Sequence, residues 1–391
     1  MNTDIIVRRV AAGDCGRLAR AFADLCRRAD EPNPHMTPTA IEAATVLVPA
    51  DCIVVLCAWQ SEALGSERLV GLWALRRRRS WRSGFSNALT APLLPLYEVS
   101  SLPVLDRDHG MAALAAMLRH IRAAGLPGAV ALPRLPLEGP VAQQLRAAAA
   151  ADGARILLFE RWTRPMMIPA PTDDATTYLR RALGSGFKKR MQQHRALARQ
   201  GTLSFSRYRG AKAVQAFERF LALEAAGWKG RGRTAIASRL NDAHYFRELV
   251  SGFAATDALQ VDSLSLDGRE IAMGLLVEAG DARHFLKIAY YERFARHSPG
   301  RALTIAMIEA DFAGRPAAHF DSGAGEEVDA QTYPWGERRA MANALLILPG
   351  RHARLPRLAN ATRQRLRHWR DRLRAFRASR SGTAPSAPPQ A

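Results

Sequence analysis

The sequence lacks the residues and runs on which several classes of protein depend. Its 391 residues include four cysteines, all in the first half and without metal-ligand spacing. We expect these thiols, Cys15, Cys26, Cys52 and Cys57, to be reduced core residues, as is typical of a cytosolic protein. No apolar run is long enough to span a membrane, and the first residues have no secretory hydrophobic region. We therefore expect a cytoplasmic protein.

Motifs for several common catalytic chemistries are also missing. The ten histidines are scattered without an HExxH or paired-cysteine spacing, so we expect no metal site. No GKS or GKT follows a glycine-containing turn, which excludes a P-loop. The spacing of serine, cysteine, histidine and aspartate supports no Ser-His-Asp or Cys-His arrangement.

Lysine is scarce, with five among the 56 basic residues, so the net charge of +20 comes from arginine. From Gly350 onward there are eleven arginines and one acidic residue, Asp371. An apolar stripe at helical spacing and a Ser/Pro/Ala-rich end predict an Arg-rich amphipathic helix and a disordered tail over residues 351–391. Residues 351–380 fit an anionic membrane surface, which would make the protein peripheral to the inner membrane. An acidic protein partner, or docking on the chain's own domain, are the alternatives.

The chain has enough hydrophobic residues to form buried cores, because 48% of its residues are hydrophobic and 24% are charged. The second half has the predicted order β-α-α-β-β-β-α-β between residues 201 and 320. The first half has nearly the same order, with a third strand expected near residues 93–99. We interpret this as a duplicated fold. The predicted domains are 1–165, 166–350 and the appendage 351–391, with a proline-containing linker at residues 165–171.

One junction in the second half has the features of an anion site. Residues 284–312 begin as a strand and end as a helix, with Ser298-Pro299-Gly300-Arg301 between them. The first turn of a helix presents unpaired N–H groups and a positive dipole end, which favour a phosphate. Gly300 permits close approach of the backbone, and Arg301 adds donors. A simple serine-capped helix start is the alternative.

The order of elements resembles the GNAT superfamily of acyl-CoA N-acyltransferases, in which this turn holds the pyrophosphate of coenzyme A. Three strings resemble the CelD/BcsL group of GNAT-type acetyltransferases, which is associated with cellulose and other exopolysaccharide biosynthesis. They are LEAAGWKGRGRTAI (223–236), KIAYYERFARHSPG (287–300) and FDSGAG (320–325) followed by WGERR. The paired layout also resembles the Fem-type transferases that add amino acids to peptidoglycan precursors.

The resemblance covers roughly residues 1–350 and implies an α/β (α+β) fold. It predicts two tandem GNAT-like domains, each a mixed, mostly antiparallel sheet flanked by helices, plus the basic C-terminal helix. The sequence departs from the family in two places. The usual Arg/Gln followed by a glycine pair is absent, and Thr332-Tyr333-Pro334-Trp335 replaces a Tyr-Lys pair that many members carry. No role is therefore assigned to that lysine.

The resemblance also implies a set of site residues, with acetyl-CoA or another acyl-CoA as co-substrate. The cofactor-binding residues are Ser298, Pro299, Gly300, Arg301 and Ala302. The substrate-binding residues are Trp228, Lys229, Lys287 and Trp335.

Acyl transfer to an amine also needs proton transfer. Glu224 is the predicted base or substrate clamp, with a solvent-facing glutamate as the alternative. Tyr290 (or Tyr291) is the predicted acid for the leaving thiolate, with a packed core tyrosine as the alternative. Asp321, at the end of an apolar strand, is the third catalytic candidate, with a helix cap as the alternative.

Two further expectations concern geometry. Lys287 and Tyr290 lie three apart on one strand and face opposite ways unless a bulge, common at this place in GNAT folds, intervenes. Asp106 and Asp108 precede the matching helix of the first half and would repel a pyrophosphate. We therefore expect the first half to bind no coenzyme A and to form a wall of the acceptor groove.

The predicted function is N-acylation of an amino sugar, a polysaccharide or another cell-envelope precursor. A Fem-like transferase that uses charged tRNA is an alternative, in which the basic helix at residues 187–195 contacts the tRNA backbone. A non-catalytic basic binding module with vestigial GNAT folds is another. Nucleic acid is not expected outside the tRNA alternative.

Overall fold

The computed structural model describes residues 5–62, 65–79, 87–314, 316–325 and 334–350. The predictions for residues 351–391 lie outside the described residues. The first half runs β1 (Ile5–Val10), α1 (Ala19–Arg28), α2 (Pro38–Ala44), β2 (Ile53–Ser61), β3 (Glu67–Arg79), β4 (Asn87–Thr90), β5 (Val104–Leu105), α3 (Gly110–Ala123), β6 (Ala129–Pro136), α4 (Pro140–Ala151) and β7 (Arg155–Met167).

Between residues 201 and 321 the second half has the predicted order of elements, with one short extra helix, α8. It runs α5 (Ala175–Leu183), α6 (Phe187–Ala198), β8 (Leu203–Arg209), α7 (Gly210–Ala226), α8 (Trp228–Arg231), α9 (Leu240–Ala255), β9 (Leu259–Leu266), β10 (Arg269–Ala279), β11 (Ala282–Tyr290), α10 (Pro299–Ala313), β12 (His319–Asp321) and β13 (Glu337–Ile347). The strand β13, later in the chain, was not predicted. The strand expected near residues 93–99 is wrong, because that segment is irregular and the short strands β4 and β5 flank it.

The sheet is mixed and mostly antiparallel, as predicted, and it continues from one half into the other. Its order is β1-β2-β3-β4-β6-β13-β7-β12-β11-β10-β9-β8, with β5 paired to β3. The parallel pairs are β4 with β6 and β11 with β12. Each half carries one such pair at the equivalent place, which is the signature of the duplication.

The two halves exchange their last strands. β13 lies between β6 and β7, while the end of β7 pairs with β12. Residues 165–167, expected to begin a linker, instead complete β7, so the predicted boundary between residues 165 and 166 falls inside a strand. Because these strands cross between the halves, separating the halves would break both central ladders.

Helices cover both faces of the second-half strands. α7 and α9 pack on one face, and α10 packs on the other. α2 of the first half packs against α9, and Gly252 is needed there because a side chain would overlap Thr39. The first half is therefore seated beside the α7/α9 face of β11.

Two sequence expectations about composition can be compared with the structure. All four cysteines are free thiols, with Cys15 and Cys57 buried and the other two partly buried. Among the described residues, no helix has both the length and the apolar character needed to cross a membrane.

Candidate active site

The start of α10 lies directly against the end of β11. Ser298 adopts a left-handed conformation (φ 50°, ψ 60°), and its hydroxyl does not cap the helix. Its carbonyl instead accepts the N–H groups of Arg301 and Ala302, both at 3.0 Å. A Cβ on Gly300 would come within 3.0 Å of Ile288 Cδ1. Glycine thus allows the first turn of α10 to approach the strand, whereas the close approach of the Gly300 backbone to a phosphate stays a prediction. Pro299 and Ala302 have buried side chains. Proline has no N–H group, and the N–H of Ala302 already donates to Ser298.

Two arginines meet at this helix start. Arg301 lies on α10 and Arg190 on α6, and α6 contacts the segment that precedes α10. Burial, together with the charge of Arg190, lowers the pKa of Arg301. Across the described ranges, neither arginine forms an ion pair. The dipole end and two guanidinium groups therefore give this place an uncompensated positive charge that favours an anion.

The strands β11 and β12 diverge at the other end of the segment 284–290 of β11. Their parallel pairing covers three residue pairs and ends at His284 and Asp321. A bulge at Leu286 then interrupts the pairing of β11 with β10. Leu286 and Lys287 both face α7 and α9, whereas Ile288 and Tyr290 pack on the α10 side. The expected bulge exists, but it precedes Lys287 and so leaves Lys287 and Tyr290 on opposite faces.

Glu224 forms the centre of a charged group on the α7/α9 face. Its side chain is fully buried, and Oε1 lies 3.3 Å from the Nζ atoms of Lys229 and Lys287. Oε2 accepts the N–H of Ile236 at 2.8 Å, and Lys229 Nζ donates to the carbonyl of Ile288 at 2.6 Å. Burial lowers the pKa of Lys229, although the charge of Glu224 opposes that shift.

Two ammonium groups thus share one carboxylate and retain one positive charge. The solvent-facing alternative for Glu224 is wrong. The geometry favours a carboxylate that positions two lysines over one that removes a proton from substrate, because both oxygens are already engaged.

The two tryptophans predicted to bind substrate differ in exposure. Trp228 begins α8 and is 45% exposed, close to Lys229. Trp335 is 1% exposed, and its ring packs 4.6 Å from that of Phe320 and near Phe285. The prediction that Trp335 contacts substrate is therefore corrected: apolar packing encloses it in the core. Tyr290 lies beside Gly300, with 3.7 Å from its Cδ1 to a Cβ built there, at the helix end of β11.

Asp321 is buried, and nearby positive charge stabilises its carboxylate. Arg164 Nη1 lies 3.3 Å and 3.4 Å from its carboxylate oxygens, and the N–H of Gly323 donates to Oδ1 at 2.8 Å. Burial alone would raise the pKa of Asp321, but Arg164, His284 and this N–H group together lower it. Asp321 is therefore an ionised residue in a turn, and the helix-cap alternative is wrong.

The matching helix start of the first half is already occupied by side chains. Asp106 Oδ1 accepts the N–H groups of Asp108 and His109 at 2.9 Å and 3.2 Å, and Asp106 also pairs with Arg28. Gln144 covers Gly110, the first residue of α3. The N–H groups of Asp108 and His109 precede α3, and no side chain caps the first turn of the helix itself. The expectation that this half binds no coenzyme A therefore stays a prediction.

Sequence reasoning missed Arg164, Arg190 and His284. They come from β7, α6 and β11, and only the fold brings them to the site. A metal site is not indicated either, since the described part of the chain holds no group of three or more histidine, cysteine or acidic residues suited to an ion.

Comparisons with known proteins support the fold. Residues 185–333 match the family model described as an acetyltransferase (GNAT) domain. No curated protein sequence matches the chain.

Solved structures resemble the whole chain. The FemX crystal structure aligns with a TM-score of 0.54 and 10% identity, covering 88% of this chain and 97% of that one. The C-terminal (DUF2156) domain of a lysylphosphatidylglycerol synthetase from Agrobacterium fabrum aligns with a TM-score of 0.52 and 12% identity, covering 89% of this chain and 97% of that one. A conserved Bacteroides thetaiotaomicron protein of unknown function aligns with a TM-score of 0.53 and 9% identity, covering 88% of this chain and 100% of that one.

The chain therefore has a tandem GNAT-like fold, and residues 185–333 match the model of a GNAT acetyltransferase domain. The family match names no narrower group, so membership of the CelD/BcsL group stays a prediction.

Proposed function

We propose that this protein is an acyl-CoA-dependent N-acyltransferase, with acetyl-CoA as the donor. The observation that carries the proposal is the start of α10, where Gly300 lies against β11 and Arg301 and Arg190 leave positive charge uncompensated. A pyrophosphate is attracted by the positive dipole end of α10 and by the two guanidinium groups, since the N–H groups of Arg301 and Ala302 already donate to Ser298.

The course of β11 supports a path for the rest of the donor. From Tyr290 back to His284 the strand covers roughly 20 Å, at about 3.3 Å per residue. An extended pantetheine arm that follows the strand reaches the place where β11 and β12 diverge. The thioester then lies beside the Leu286 bulge, next to Lys287 on one face and Asp321 on the neighbouring strand.

The acceptor side is the α7/α9 face, where Lys229 and Lys287 retain one positive charge between them. Such a pair favours an acceptor that carries an anionic or strongly polar group near its amine. An amino sugar, a polysaccharide or another cell-envelope precursor fits that description. The first half, seated beside this face through α2, forms the opposite wall.

A Fem-like transfer from charged tRNA is the second candidate. The observation that favours it is α6, whose basic residues lie beside the start of α10, where a tRNA backbone would also find positive charge. The fold shared with FemX is compatible with either donor.

The experiment that separates them is a donor test on the full chain. Purified protein is titrated with acetyl-CoA and, separately, with charged tRNA, and thiol release from acetyl-CoA is followed with D-glucosamine as the acceptor. Saturable acetyl-CoA binding and glucosamine-dependent thiol release support the proposal. Salt-sensitive tRNA binding without acetyl-CoA binding supports the Fem-like alternative, and binding of neither supports a non-catalytic module.

A further inference from the structure

A buried polar cluster lies where the first half meets β11 and β12. Its members are His35, Ser101, Arg164, His284 and Asp321, and each is 6% exposed or less. They come from five separate segments of the chain. We call this group the polar cluster.

Contacts join these segments. Asn33, two residues before His35, donates to the carbonyls of Ser100 and Leu102, which flank Ser101. Arg164 donates to the carbonyl of Val99 at 2.7 Å as well as to Asp321. His284 and Asp321 form the last pair of β11 with β12, and His284 is close enough to His35 for its charge to lower the pKa of His35.

The polar cluster contains polar atoms that lack partners. Both ring nitrogens of His35, both of His284, Ser101 Oγ and Arg164 Nη2 have no hydrogen-bond partner within the ranges that the structure describes. Buried polar atoms are normally paired, because leaving them unpaired costs free energy. Six such atoms in one place indicate a site whose hydrogen bonds are completed by a polar ligand.

The position of His284 connects the polar cluster to the proposed reaction. Since Leu286 is a bulge, His284 and Lys287 share the α7/α9 face of β11, where we place the acceptor. His284 also marks the point at which β11 and β12 separate, where the thioester arrives. An imidazole with two unpaired nitrogens thus lies beside both reactants.

We propose that His284 is a catalytic base that takes the proton from the acceptor nitrogen as this nitrogen attacks the thioester. The inference rests on the proposed function and adds a residue to it. The acceptor binds as a free amine, its nitrogen forms a bond to the carbonyl carbon, and its proton moves to His284. The carbon–sulfur bond then breaks, and the thiolate takes that proton from the imidazolium, which restores neutral His284.

The groups around His284 suit that role. Burial lowers its pKa to about 4, so the ring is neutral at pH 7 and one nitrogen carries a free lone pair. Asp321 opposes this shift, and its ionised carboxylate stabilises the imidazolium that forms. Arg164 and Arg339 add positive charge nearby, which favours return of the proton from the imidazolium.

The test uses the full chain with acetyl-CoA as the donor and hydroxylamine, a small nucleophile, as the probe acceptor. Thiol release is measured for the wild type, His284→Gln, His284→Ala and the neighbouring control His319→Gln. Acetyl-CoA binding is measured by calorimetry for each variant, as a check on both the fold and the cofactor site. We expect His284→Gln to bind acetyl-CoA like the wild type and to lose at least about 100-fold in rate, since a positioned base contributes that much or more. His319→Gln should lose less than about threefold.

Chemical rescue separates a base from a structural residue. Added imidazole should restore part of the rate of His284→Ala but not that of His284→Gln, whose side chain fills the space. Normal acetyl-CoA binding with an unchanged rate in His284→Gln would overturn the inference while leaving the proposed function intact. So would a loss of rate in His284→Ala that imidazole does not restore, or a wild type that binds acetyl-CoA without thiol release. Absence of acetyl-CoA binding by the wild type would overturn the proposed function itself.

Discussion

The carboxylate of Glu224 and the ammonium group of Lys287 lie 3.3 Å apart, although 63 positions separate them in the sequence. Lys229 shares the same oxygen at the same distance, so a carboxylate at the end of α7 holds one lysine from α8 and one from β11. This arrangement connects the positively charged side of the candidate acceptor site to β11, the strand along which we place the acyl donor.

Glu224→Gln should destabilise the protein. The change leaves two ammonium groups around a neutral amide, and breaking a buried ion pair costs about 3 kcal/mol or more. Urea unfolding measures the free energy of unfolding. The matched control is Glu218→Gln, which breaks a half-exposed pair with Arg247 and should cost less than about 1 kcal/mol. Equal effects of the two changes would contradict the view that Glu224 organises this site.

Arg190→Gln should weaken acetyl-CoA binding, because Arg190 adds positive charge beside Arg301 at the start of α10. We expect a loss of about tenfold, the size of a charge-assisted contact of about 1.4 kcal/mol. Calorimetry at two salt concentrations checks this, and the variant should show weaker salt dependence. Arg195→Gln, on an exposed position of the same helix, is the control and should bind like the wild type. Equal losses in both variants would point to general charge rather than a defined site.

Gly230→Ala tests how α8 positions Lys229. A Cβ at this position would overlap the backbone carbonyl of Ala225, so α8 must move away from α7. Forcing atoms into a packed contact costs about 2 kcal/mol. Gly13→Ala has open space around the added methyl group and should stay within about 0.5 kcal/mol. Thermal unfolding of both variants decides the point, and a Gly230→Ala protein as stable as the wild type would refute this packing.

Stability should depend on pH through the buried histidines. Burial, followed by the charges of His284 and Arg134, lowers the pKa of His35 from 6.5 to about 3. Below pH 6.5 His35 is protonated in the unfolded chain, but in the folded protein it stays neutral down to about pH 3. His35 therefore makes the free energy of unfolding fall as the pH drops from 6.5 towards 3. Glu98 acts in the opposite direction, because burial raises its pKa to about 8 and the folded protein keeps its proton between pH 4.5 and 8.

Two variants separate the contribution of His35 from that of the other titratable groups. His35→Gln should make the slope of unfolding free energy between pH 6.5 and 4.5 shallower by about 1.4 kcal/mol per pH unit, the value for one proton. Urea titrations at three pH values measure it. His244→Gln, at an exposed position of α9, should leave the slope unchanged. An unchanged slope in His35→Gln would mean that His35 is not buried as a neutral ring.

Local patterns in the sequence predicted much of the fold. Apolar alternation and the Ser-Pro-Gly start of α10 each reflect a preference of a few neighbouring residues. β13 was not predicted, and its exchange with β7 could not be predicted from local patterns, which carry no information about strand neighbours. Only pairing across the chain decides which neighbour each strand takes.

The same difference between local patterns and long-range contacts applies to the residues of the candidate site. Gly300 and Arg301 could be selected because their neighbours in sequence define a helix start. Trp335 was assigned wrongly because exposure depends on Phe285 and Phe320, which are distant in sequence. His284 could not be selected, since its face depends on a bulge at Leu286 that no local pattern revealed.

The central claim, that the start of α10 receives the phosphates of an acyl-CoA, is tested most directly by calorimetric titration with acetyl-CoA. The comparison is between the wild type, Gly300→Glu and Gly300→Ala. The alanine variant places only a methyl group near the flexible end of Ile288, so it should still bind. The glutamate variant adds a carboxylate where we place the pyrophosphate, so it should lose binding by at least about 100-fold. Binding by the wild type and the alanine variant alone is the predicted result, and equal binding by all three, or by none, would contradict the account.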